Sequence, residues 1–106
     1  MIARVWTAKL APSHARAYAD HLRGQVLPAL RAVAGYEGAQ LLEREAADGV
    51  EVVVISYWRS LDSVRGFAGE DLERAVVSAA VAPFLLRYDQ RVAHYEVVVR
   101  DETALG

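Results

Sequence analysis

Four side chains able to move a proton or make a hydrogen bond follow one another early in the chain: His14, Tyr18, His21 and Gln25, spaced by four, three and four residues. On a helix that spacing makes a single stripe, readable either as one wall of a pocket or as a solvated flank with ordinary histidines. As a metal site the stripe is poor, because seven residues separate the two histidines and no carboxylate lies between them on it. His94 differs in sitting mid-strand in an apolar segment, with Val92, Glu96 and Val98 on its own face. It is a candidate general base, the imidazole being the side chain that changes charge near neutral pH, and otherwise a neutral histidine bonded within the fold. Arg4 shares a strand face with Trp6. A guanidinium beside an aromatic wall could hold an anionic phenolate or carboxylate and stabilise charge as it develops, or pair with a glutamate on a neighbouring strand. Trp58 shares a face with Ser56, Val54 and Val52, and reads as core at a strand end or as the wall of a pocket. Tyr36 and Phe67 would add aromatic lining, or core.

The composition narrows what such residues could do. The chain has 106 residues and no cysteine, so disulfides, thiolate zinc sites, iron–sulfur clusters and a cysteine nucleophile are excluded. One domain over 1–106 fits this length, with 100–106 read as a frayed tail. The net charge is −2 and the basic residues are scattered rather than clustered in a stripe, which argues against a nucleic-acid partner. No apolar run approaches the ~18 residues of a membrane span, and the first residues lack a basic segment followed by a long apolar one. A cytoplasmic protein is the expectation.

The elements that must position these residues form two strand–helix–strand halves. "IARVWTAKL" (2–10) alternates as a strand, and "APS" breaks it. Ala15, Ala19, Leu22, Val26, Leu30 and Val33 recur at helical spacing, predicting a long amphipathic helix from about Ser13 to Val33, kinked or interrupted at Pro28. "AGYEG" is a turn into a strand running through about Arg44, "AADGV" carries a hairpin signal, and "EVVVISYW" (51–58) is a strand covered on both faces. Ser60 is placed to cap a short helix, with Asp62 in its first turn and Gly69 at its end. Residues 70–82 predict a further helix, and "RVAHYEVVV" (91–99) a final strand. The resulting order, β-α-β-β-α-β, predicts a ferredoxin-like α+β fold: an antiparallel sheet with its helices on one face. The other face would then be bare and apolar, because Val52 and Val54 oppose Val53 and Ile55, while Val97 and Val99 oppose Val98. A monomer rarely tolerates so large a patch, so a homodimer through the sheet faces is expected.

Along nearly its whole length the chain resembles the antibiotic biosynthesis monooxygenase family, whose members are small dimeric α/β barrels. The likeness rests on "ARVW" (3–6), "GYEGAQLL" (35–42), "SYWRSLDSVRGFAGED" (56–71) and "VAHYEVVV" (92–99). It implies a cavity between the sheet and its helices within each subunit. It also implies that Trp58 holds a flat substrate there, as the corresponding tryptophan does in the polyketide-oxidising members. Those members carry an asparagine and a tyrosine where this chain has Val54 and Val64. In the heme-degrading members an asparagine, a tryptophan and an axial histidine would fall near Trp6, Phe67 and Val77, so heme is not expected.

Together the residues and the resemblance predict a cofactor-independent monooxygenase acting on an electron-rich, polyketide-like aromatic. His94 and Arg4 are the catalytic candidates, and Trp58, Trp6, Phe67, Tyr36, Tyr18 and His21 the substrate contacts. Two other readings stand beside it. One is non-oxidative cyclisation, isomerisation or decarboxylation in the same pocket, and the other a ligand-binding dimer without turnover.

Overall fold

Alternation in the first strand sets the architecture. In a computed structural model, which describes residues 1–102, β1 (Ile2–Leu10) buries Arg4, Ala8 and Leu10 on one face, with Trp6 half-buried beside them. Its antiparallel partner β3 (Gly49–Trp58) buries Val50, Val52, Ser56 and Trp58 on the same side. β2 (Tyr36–Ala46) pairs with the far edge of β3, from Tyr36 opposite Trp58 to Ala46 opposite Gly49, with the register shifted by one residue between Tyr36 and Gly38. β4 (Leu85–Tyr88) and β5 (Ala93–Glu96) both pair with β1. The sheet order is β2-β3-β1-β4, with β5 sharing the edge of β1 that β4 occupies. This is the ferredoxin-like α+β arrangement expected from the sequence.

Two helical regions cover the buried face. The first comprises a 3-10 turn (Pro12–His14), α1 (Ala15–His21), a wide π turn (Leu22–Val26) and α2 (Leu27–Arg31). The interruption expected at Pro28 is this π turn. Proline offers no N–H to Gly24 and its ring crowds the carbonyl four residues back, and the preceding turn opens so that Leu27 N–H reaches the Leu22 carbonyl instead. α3 (Leu61–Ala68) starts where Ser60 accepts a hydrogen bond from Ser63 N–H at 3.2 Å, with Asp62 in the first turn. It stops at Gly69, whose φ of +80° suits glycine alone. The packed core lies between these helices and the sheet, in one cluster around Leu10, Val52, Tyr18 and Val81 and another around Trp58, Leu30 and Val64.

The structure corrects two elements. Residues 70–82 do not form the expected helix; only a 3-10 turn, Ala82–Phe84, follows. Their backbone groups are engaged elsewhere: Arg4 takes the carbonyls of Leu72 and Arg74, Ala75 N–H bonds Gln90 and Val92 N–H bonds Glu73. The final strand expected over 91–99 is shorter and has a separate forerunner, β4. From Tyr88 to Ala93 the chain advances five residues while β1 advances three, from Ala8 to Val5, so two residues bulge out (5 − 3 = 2). The bulge is fixed by Asp89, whose N–H bonds the Thr7 carbonyl and whose carbonyl accepts the Trp6 indole N–H at 2.9 Å. Val97, Val98 and Val99 lie beyond β5 and do not alternate within the sheet as expected. Of the expected tail, 103–106 falls outside the described residues, while Arg100 stacks over the Tyr57 ring at 5.3 Å.

Candidate active site

The space between sheet and cover is not filled. A cavity of about 380 Å³ is floored by Arg4 and Trp6 of β1 and by Val54 and Ser56 of β3. Tyr18, His21, Leu22, Gln25 and Val26 of the first helical region form one wall, and the irregular stretch with Val76, Val77, Ser78 and Val81 forms another. Its volume lies within the range of small-molecule sites, and its lining is mostly hydrocarbon with a few polar groups, as such sites are.

Of the residues singled out from the sequence, Arg4, Trp6, Tyr18, His21 and Phe67 line this cavity, whereas Trp58, Tyr36 and His94 are not among the lining residues. Trp58 is 0% exposed. It stacks on Phe67 at 6.0 Å between ring centroids and meets Tyr36 edge-on at 5.5 Å, so Phe67 supplies the ring that reaches the cavity. Trp58 and Tyr36, expected from the sequence as substrate contacts, stand in the layer next to the lining. His94 also stands outside it, with Nε2 3.0 Å from Nη1 of Arg4. Since a guanidinium can only donate, Nε2 is the bare nitrogen and the ring proton sits on Nδ1. Burial, and secondly the charge of Arg4, hold the His94 pKa below its ordinary value, with Glu73 opposing. In this arrangement the free nitrogen of a neutral His94 accepts from Arg4, and the ring stands outside the cavity lining.

Arg4 is the dominant charge at the site. It is 4% exposed, donates to the carbonyls of Leu72 and, at 2.8 Å, Arg74, and lies over the Phe67 ring at 5.6 Å. Burial lowers its pKa to about 10, which leaves it charged at neutral pH. Tyr18 is pushed by burial up to about 12 and stays a phenol. His21 is the imidazole in the lining, with Nε2 3.4 Å from Ser78 Oγ on the opposing wall. Sequence reasoning missed Ser78 and its valine neighbours, because a helix was expected there. It also passed over Ser56, although a serine in the run "VVVIS" is a polar interruption that marks the position. Among the described residues no group of three or more His, Asp or Glu side chains converges as a metal site.

An antiparallel sheet in this order, roofed by helices, defines a ferredoxin-like α+β protein with a cavity of small-molecule size. More particularly, the chain belongs to the antibiotic biosynthesis monooxygenase family, whose sequence profile matches residues 1–79. No curated protein matches it. Among solved structures it resembles a candidate antibiotic biosynthesis monooxygenase from Bacillus cereus, at 17% identity and TM-score 0.69 over 97% of this chain and 96% of that one. It also resembles the monooxygenase ActVA-Orf6 of Streptomyces coelicolor, in complex with nanaomycin D, at 18% identity and TM-score 0.61 over 99% and 92% of the two chains. A third likeness is to the heme degrader MhuD of Mycobacterium tuberculosis with two hemes bound, at 20% identity and TM-score 0.61 over 96% and 100%. At these identities the likeness establishes the fold. At the positions the resemblance gives for heme the residues differ, and the imidazole that lines the cavity is His21, on the opposite wall from Val77. Trp6, Phe67 and Val77 do line the cavity, but Val77 offers iron only hydrocarbon where an axial imidazole would stand.

Proposed function

We propose that the protein is a cofactor-independent monooxygenase that oxidises an electron-rich, phenol-bearing aromatic in the cavity between sheet and helices. The observation that carries this reading is a buried cation, Arg4, at the floor of an otherwise largely apolar, aromatic-lined chamber. An electron-rich phenol reduces oxygen itself once ionised. Conversion of a ring C–H to a quinone C=O places one oxygen atom in the product and releases the other as water, with all four electrons drawn from the substrate. The protein's part is to favour the phenolate through Arg4, to accept the phenolic proton, and to keep bulk water from the reactive intermediate. His21, which faces the cavity, replaces His94 as the proton acceptor. Trp6, Tyr18 and Phe67 sandwich the rings.

The protein is further proposed to work as a cytoplasmic homodimer, its two sheets face to face. Val5, Val53 and Ile55, only half-buried in the single chain, and the exposed Leu42 and Tyr95 support this, because they share the face that no helix covers.

The test is oxygen uptake with a panel of hydroxylated polycyclic aromatics in chelator-treated buffer. Uptake that persists after chelation and falls in His21→Ala by about 10²-fold or more supports the assignment. Turnover that proceeds equally without oxygen points to cyclase or isomerase chemistry, and no turnover across the panel defeats the catalytic reading.

A further inference from the structure

On the covered face of the sheet, Ser56, Arg4 and His94 form one row across three adjacent strands. Arg4 is the register partner of Ser56 on β3 and of His94 on β5. Arg4 and Ser56 are 4% and 5% exposed, and both line the cavity.

The hydrogen bonds of this row do not close. A guanidinium has five N–H groups, and three of them reach Leu72 O, Arg74 O and His94 Nε2. All three acceptors are neutral, and two N–H groups are left without a protein acceptor among the described residues. Arg4 takes part in no ion pair among the described residues either. A buried charge with neither counter-ion nor a full set of acceptors is costly. On the other side, Ser56 Oγ accepts the Trp58 indole N–H at 2.9 Å. Indole has no acceptor to offer in return, so the serine's own O–H is free to donate elsewhere.

We infer that this row is an anion-binding subsite in the cavity floor, which seats the ionised oxygen of a flat aromatic ligand, a carboxylate or a phenolate. Arg4 is the counter-ion and first donor, and Ser56 the second donor. Trp58 and His94, both outside the lining, are positioning residues: one fixes the serine oxygen, the other accepts from the guanidinium without neutralising it. The apolar remainder of the cavity takes the rings. This deepens the reading of the cavity as a substrate site and rests on it, but does not require that the ligand be oxidised.

Binding is measured without oxygen, on the full chain, with three probes: 2-naphthoate, its neutral analogue 2-naphthylmethanol, and 4-nitro-1-naphthol, whose absorbance reports its ionisation. The expected result is binding of 2-naphthoate at least about tenfold tighter than the alcohol. Bound nitronaphthol should ionise at lower pH than the free probe. A response from only one of these two arms assigns the subsite to carboxylates or to phenolates. Arg4→Met should abolish the preference and Ser56→Ala reduce it about threefold. The serine variant and the probe's ionisation carry the test even if Arg4→Met does not fold. Equal affinity for acid and alcohol together with unshifted probe ionisation, failure of all three to bind, or a preference retained in Arg4→Met would overturn the proposal. Anion preference without oxygen uptake by any phenol would leave the subsite and remove the oxidative reading. Oxygen uptake without anion preference would do the reverse.

Discussion

At the scale of single residues, the site is organised by what surrounds Arg4 rather than by a catalytic constellation. His94 illustrates this. Its pKa is lowered by burial and by Arg4 from an ordinary value of 6.5, so above that pH it is neutral in both folded and unfolded chains and contributes nothing to pH dependence. As the pH falls through 6.5, the unfolded chain takes up its proton first, and stability is lost until the folded-state value is passed. The thermal midpoint should therefore drop on acidification from about pH 7 to about pH 5, with that component absent in His94→Gln. Identical profiles for the two proteins would contradict the assignment. Trp58→Ala should cost about 3–5 kcal/mol in urea unfolding, as for a fully buried aromatic. The kinds of residue able to do chemistry were legible in the sequence, but their depth was not. Alternation along β3 gives the face on which Trp58 lies, yet only packing shows that Phe67, from another element, takes the position in the cavity lining.

At the scale of elements, turn and cap residues made most boundaries readable: Ser60 and Gly69 bound α3 as their types demand. Residues 70–82 were misread because helical spacing is a local signal, whereas the groups that capture their backbone lie in β1 and in the bulge before β5. The split edge strand was hidden for the same reason. Two junctions carry predictions. Gly35 has φ +88°, its carbonyl accepts from Arg59 N–H at 2.8 Å, and a Cβ there would run into Ser63 of α3. Gly35→Ala should lose on the order of 2 kcal/mol or more in denaturant unfolding. At the β2–β3 hairpin, Asp48 accepts from Lys9 at 2.7 Å and Arg87 at 3.1 Å, tying the turn to β1 and β4. These bonds lower its carboxyl pKa to about 2 from 3.8. Its contribution is complete above 3.8 and lost as the pH falls through 2. Acid titration followed by circular dichroism should show a shallower loss in Asp48→Asn, and an unchanged acid limb would refute the role.

At the scale of the whole molecule, the sheet's two faces divide the work. One holds the cavity, and the other, with Tyr95 58% and Leu42 47% exposed, carries no helix and is the face of the proposed homodimer. Ile55→Asp should convert the species seen by sedimentation equilibrium from dimer to monomer, and a wild-type protein that sediments as a monomer would remove the dimer. Strand alternation made this face legible, while the cavity depended on how the helices ride over the sheet. Here the π turn has a consequence of its own. Each residue added to or removed from a helix rotates everything beyond it by about 100°. By taking up one extra residue, the turn Leu22–Val26 lets Tyr18 and His21 on one side and Leu30 on the other face the sheet together. The turn answers to Pro28, whose ring and missing N–H persist whatever stands at Gly24. Pro28→Ala, which restores the N–H, is the change that would let the helix bond regularly and rotate the histidine stripe relative to the cavity. Which side chains the roof shows to the cavity is thus a matter of phase, and a single codon shifts it.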